Sequence, residues 1–150
     1  MSNQEPKKVI KGLIVKEPYV SMIVNGEKIW EIRKNYTTIR GYVALISKGR
    51  LYGFAELITV FKADLDLIRR HREKHHATKR FIREYTKDGK QLYIWVFRNP
   101  LPLAKPIRIK YPKGARMWIN LDFDHIIEKL KKYGYAEIAE KLEKYQLPQY

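Results

Sequence analysis

Three ionisable side chains of both signs, Lys28, Glu31 and Arg33, fall within six positions in the run Gly26-Glu27-Lys28-Ile29-Trp30-Glu31-Ile32-Arg33. Strands of small domains ordinarily alternate apolar and polar residues, so this crowding asks for a reason. Such a group can hold an anion. It can also make a base of the lysine, but only if burial or neighbouring cations pull the amine below its usual value of about 10.4. Glu31 and Arg33 are two apart and share a strand face, either as an ion pair bracing the fold or as a pair facing a ligand. Strict alternation puts Lys28 on the opposite face, and it joins them only if a turn or bulge follows Gly26. Glu56 stands in an otherwise apolar stretch, as a general acid or base or as a partner for Arg33. The catalytic candidates, if the chain is an enzyme, are therefore Lys28, Glu31 and Glu56.

A second set of residues suits a polyanion. Arg40, Lys48, Arg50, Arg98, Lys113 and Arg116 fall at expected loops or strand ends, where binding residues concentrate. Trp118 and Tyr111 could stack on an unpaired base, a contact worth roughly 1–3 kcal/mol. With Lys28 and Arg33 they make up the nucleic-acid-binding candidates. The chain carries 31 Lys and Arg against 16 Asp and Glu, a formal +15. That excess belongs to residues 1–121, since residues 122–150 hold 5 basic and 6 acidic groups. A basic main body is the footprint of a nucleic-acid binder, although charge alone does not separate RNA from DNA.

The histidines invite a metal reading, with His71 and His75 spaced i, i+4 and His76 beside them. Zinc usually takes a further ligand, and no H-E-x-x-H pattern is present, so a cationic surface touching phosphate is the preferred reading. No metal and no cofactor is expected. The absence of cysteine excludes disulfides, thiolate-bound metals and thiol nucleophiles. The polar start, Met1 to Lys8, lacks a signal-peptide core. No stretch approaches the roughly 20 apolar residues of a membrane span. The expectation is a soluble, cytoplasmic protein.

These residues need a scaffold. At 150 residues the chain has the size of one domain with a real core. Val9–Val15 reads as a strand, Glu17-Pro18 opens a short helix stopped by Gly26, and Lys28–Lys34 is the next strand. Tyr42–Ser47 and Leu51–Phe61 flank a Lys48-Gly49-Arg50 hairpin. Gly53 suggests a bulge or a barrel bend. Asp64 and Asp66 offer caps for a helical region running to about Tyr85, whose middle, Arg69–Arg80, reads as too polar to be buried and as a break into two helices. Leu92–Arg98 reads as a central strand, the proline-spaced 99–106 as an extended edge or connector, and Ile107–Lys110 and Met117–Leu121 as short strands. From Asp122 the pattern turns helical, with a break at Gly134. We therefore divide the chain into residues 1–121, the main domain, and 122–150, a helical extension packed on it that could also serve a protein partner.

Four ordered blocks resemble the ASCH family of the PUA-like superfamily. Glu17-Pro18-Tyr19 with Gly26–Arg33 is similar to the family's helix and its G-x-K-x-x-E-x-R signature. Gly41–Ile46 and Gly53–Glu56 resemble its next two strands. Tyr93–Phe97 with Asn99-Pro100, then Lys105-Pro106-Ile107, resembles its late strand and exit. The resemblance covers roughly residues 9–121. It implies an α+β fold, a small, mostly antiparallel PUA-like β-barrel with flanking helices and an open cleft, used by relatives for RNA-linked work. The expected function is binding of single-stranded RNA or a nucleotide, with DNA as a lesser alternative. The enzymatic alternative is an N4-acetylcytidine amidohydrolase or a metal-independent ribonuclease. In the amidohydrolase branch the signature lysine is catalytic, which maps onto Lys28; that branch has Thr three positions later, where this chain has Glu31.

Overall fold

The computed structural model describes residues 8–145. Six strands make one sheet: β1 (Val9–Ile14), β2 (Trp30–Arg33), β3 (Gly41–Ser47), β4 (Arg50–Ala63), β5 (Leu92–Arg108) and β6 (Trp118–Asp122). Their order is β2-β5-β4-β3-β1-β6. β1 and β3 run parallel and the other pairs antiparallel. Six helices complete the described residues: α1 (Tyr19–Val24), α2 (Leu65–Arg70), α3 (Arg72–His75), α4 (Lys79–Tyr85), α5 (Phe123–Lys132) and α6 (Ala136–Lys144). No helix among the described residues is long and apolar enough to cross a membrane.

The expected barrel is not closed. β2 and β6 are the two edges, and no ladder joins them. The sheet is nevertheless strongly rolled. Trp95 on β5 stacks on Trp118 of β6 with ring centroids 5.6 Å apart, although four strand spacings, about 19 Å in a flat sheet, separate those strands. A side chain also ties β2 to β1, strands that are not neighbours in the sheet: Arg33 Nη2 donates to the Ile14 carbonyl at 3.3 Å.

The local chemistry explains the strands. Lys48 and Gly49, both with positive φ, form the two-residue turn between β3 and β4, the hairpin geometry that matches strand twist. Gly53 has φ 151°, and a Cβ there would lie 2.4 Å from the Leu101 carbonyl oxygen; the β4–β5 register shifts beside it. The proline-spaced segment belongs to β5 itself. β2 covers β5 only up to Val96, so Pro100, Pro102 and Pro106 fall where β5 pairs with β4 alone and its other edge needs no donors.

Three apolar clusters hold the fold. Leu13, Val43, Leu45, Leu57, Trp95 and Phe97 fill the inside of the roll with α1. The opposite face of β3, through Tyr42, Ala44 and Ile46, packs with Phe54, Ile119 and the buried residues of α5 and α6. The family of short helices α2–α4 covers Trp30, Ile32, Ile94 and Val96. β3 is thus buried on both faces, and the apolar sides of the C-terminal helices are turned inward. Asp64, Thr78 and Asp122 cap α2, α4 and α5 through their side chains. The 64–85 region is three helices, and its polar middle is not wholly exposed: His75 and Ala77 are buried. α1, at six residues, is shorter than Glu17 to Gly26 suggests.

Candidate functional site

α1 ends at Val24, and Gly26, with its positive φ, turns the chain before β2 begins at Trp30. Lys28 lies in that turn and not on the strand, which frees it from strand alternation. Its amine comes round to the face shared by Glu31 and Arg33. Lys28 Nζ lies 3.4 Å from Glu31 Oε1, and Arg33 Nη2 lies 3.0 Å from Glu31 Oε2. The two cationic heads therefore converge on one carboxylate.

Lys28 is 2% exposed. Its ammonium donates to the Trp30 carbonyl at 2.6 Å and to the His75 carbonyl, and it faces the Tyr19 ring at 5.1 Å. Burial pushes the amine below its ordinary value, the nearby Glu31 carboxylate pulls it back up, and Arg33 adds a smaller downward push. Three oxygen acceptors suit an ammonium, which has three N–H donors, better than a neutral amine. Arg33 is more open and makes these contacts through Nη2 alone, with its guanidinium 5.7 Å from the Trp95 ring. Its remaining nitrogens can meet a ligand.

These groups floor a cleft of about 700 Å³, within the usual range for small-molecule sites. Lys16, Lys48 and Arg116 add cations to its lining, against Glu17 and Glu31. One side is aromatic: Tyr19 meets Phe81 at 6.1 Å and Phe81 meets Tyr85 at 5.2 Å between centroids. Phe81, 39% exposed, presents its ring to the opening. Ser47 adds a hydroxyl, and Glu17 is fixed by accepting from the Ser21 hydroxyl at 2.7 Å and from its backbone N–H.

Of the residues expected from sequence, Lys28, Glu31, Arg33, Lys48 and Arg116 line this cleft; Arg40, Arg50, Glu56, Arg98, Lys113 and Trp118 do not. Glu56 is not the partner of Arg33. It sits on the sheet face under the C-terminal helices, accepting from Asn99 Nδ2 at 3.0 Å and from the Tyr145 hydroxyl at 2.9 Å. Arg40 braces its own loop through the Thr37 and Ile39 carbonyls. Arg98 flanks a smaller hollow of about 170 Å³ on the other side of Lys28. Trp118 is committed to Trp95, and the Tyr111 hydroxyl accepts from Gly49 N–H. Arg50 and Lys113 are exposed and are not among the residues lining the cleft.

The three neighbouring histidines point apart. His71 packs edge-on against Trp30. His76 Nε2 meets the Glu27 carbonyl. His75 is fully buried, its Nδ1 accepting from Ala77 N–H and its Nε2 donating to the Ile68 carbonyl, which fixes a neutral imidazole. Burial first, then the Lys28 charge, hold it below its ordinary value. No group of three or more metal-binding side chains occurs among the described residues.

The sequence reading missed the aromatic side. Phe81 and Tyr85 are spaced i, i+4 beside the buried Ile82, a pattern that reads as core; the alternation of Ile82 inward and Phe81 outward appears only once α4 is docked. The signal for Lys16 and Ser47 was their place at the ends of β1 and β3, next to the same opening.

Comparison with known proteins agrees with this architecture. The profile of the ASCH domain matches residues 13–145, and so runs on through the C-terminal helices, beyond the residue 121 at which the sequence resemblance stopped. No curated protein sequence matches the chain. Among solved structures, a serine-to-alanine variant of the ASCH protein from Zymomonas mobilis aligns with TM-score 0.68 at 15% identity, over 86% of this chain and 99% of that one. A tyrosine-to-phenylalanine variant of the same protein gives 0.66 at 15% identity, over 80% and 96%. The unsubstituted protein gives 0.59 at 15% identity, over 93% and 82%. At that identity the likeness speaks for the fold.

Proposed function

The chain belongs to the ASCH domain family, and from that premise we propose that it binds single-stranded RNA, taking an unstacked nucleotide into the cleft between α1, α4 and the mouth of the rolled sheet. The observation that carries this reading is the convergence, in one cavity, of a buried Lys28–Glu31–Arg33 floor, further cations and an aromatic side. An unpaired base can stack on Phe81 or Tyr85, a sequence-tolerant contact. Arg33, Lys48 and Arg116 suit the phosphates. Glu31, held by two cations, is an acceptor for a base amino group. RNA is favoured over DNA by the RNA-linked work that the family resemblance implies, and a cytoplasmic setting goes with it.

Salt titration tests the reading. Affinity for a single-stranded RNA should fall steeply with salt, and each phosphate-contacting cation removed should make the slope shallower by about 0.7. Arg33→Ala and the double variant Lys48→Ala/Arg116→Ala should both weaken binding with the fold intact by circular dichroism. Absent or salt-insensitive binding would overturn the proposal.

One observation favours an enzymatic alternative: burial pushes the Lys28 amine down, toward the range of a base. In that case N4-acetylcytidine or RNA would be turned over, and Lys28→Met would abolish turnover in a protein that remains folded. The saturated hydrogen bonding of the amine supports binding as the first reading.

A further inference from the structure

A second concavity lies across α4 from the cleft. It measures about 570 Å³ and sits among α2, α3 and α4. Its floor is apolar or neutral, formed by the buried Ile68, Ala77, Ile82 and His75. Its rim carries Arg69, Arg72, Lys79 and Arg83, all exposed. Among the described residues no carboxylate lines it. Among the described residues none of the four cations has an ion-pair or hydrogen-bond partner. His75 adds no charge, because both ring nitrogens are already engaged.

Four like charges around one hollow repel one another, and among the described residues none of them is held in an ion pair. The chemistry that fits is a polyanion carrying a planar or apolar group, which describes a nucleotide. α4 ties this hollow to the cleft: Phe81 and Tyr85 face the cleft, Ile82, Arg83 and Thr86 face the second hollow, and Ala77 lines both.

We propose that this basic hollow is a second subsite for the same RNA strand, holding phosphates and a further base, so that the bound strand passes over α4. The proposal rests on the RNA reading of the cleft. A helix with its side chains is about 10 Å across, so a dinucleotide seated in the cleft does not reach the second subsite and a longer strand does.

The test compares labelled uridine dinucleotide with an oligouridylate of about ten nucleotides, a span typical of single-strand grooves, by fluorescence anisotropy. The wild-type protein should bind the longer strand more tightly. Arg69→Ala/Arg83→Ala should lose about tenfold on the longer strand, with a salt slope shallower by about 1.4 for two lost phosphate contacts, and should bind the dinucleotide unchanged. Arg69→Lys/Arg83→Lys, which keeps the charge, should retain the longer-strand affinity, separating lost charge from disturbed packing. If the alanine variant binds both lengths as the wild type does, or weakens equally on both, the second subsite is overturned and the cleft stands. If the wild-type protein binds neither RNA, the cleft reading falls and this proposal falls with it.

Discussion

The ammonium of Lys28 reaches three oxygens and touches almost no water, so its loss strands more than a charge. Lys28→Met keeps the bulk but leaves the Trp30 and His75 carbonyls without a donor, and should cost about 3 kcal/mol of stability, read from urea denaturation. The pH response has a definite sign. Because the folded amine releases its proton at lower pH than the unfolded one, stability contributed by this group rises with pH between the folded value and the ordinary one. His75 works at the acid side. It is held neutral in the fold, so the unfolded chain takes up a proton first, and stability should fall as pH drops below about 6.5. NMR titration checks this directly: the His75 ring signals should stay unprotonated at a pH where ordinary histidines have titrated. At this scale the sequence named the triad. It could not place Lys28, because the side it faces depends on where the strand begins. It gave no hint of a buried His75, since charged neighbours at Arg72 and Lys74 mask one inward-facing ring.

Among the elements, β4 and β5 carry the strongest local constraint. Gly53→Ala forces a Cβ onto the Leu101 carbonyl at a φ that side chains rarely adopt, and should destabilise by about 3 kcal/mol, measured as a shift in the urea midpoint. The β3–β4 hairpin, the irregularity at Gly53 and the cap at Asp64 were legible because each depends on residues close in sequence. The single long β5 was not. Pro100, Pro102 and Pro106 argue against a strand unless one edge is free, and that edge is free only because β2 stops short. A break within residues 64–85 was legible, from polarity that outlasts any one helical face, but it was read as two helices and the structure has three.

For the molecule as a whole, the C-terminal helices are part of the core. Leu130 is fully buried among residues of β1, β3, β4 and β6, so Leu130→Ala should cost about 2–5 kcal/mol by thermal or urea unfolding. RNA affinity, measured below the melting range, should stay unchanged, because the helices lie on the sheet face away from the cleft. Individual strands and helices were readable from patterning, whereas the α+β class with mostly antiparallel pairing followed from the family resemblance. Closure was not, since it depends on whether β2 and β6 meet, two segments joined by nothing local. The stacked indoles of Trp95 and Trp118 supply an optical gauge of that large-scale geometry. Residues 23 positions apart in sequence, on strands that are not neighbours, come into register only when the sheet has finished curling. With Trp30 replaced by Phe, the emission of the remaining pair would time the last stage of folding, and its response to added oligonucleotide would show whether occupancy near Arg33 tightens or loosens the roll.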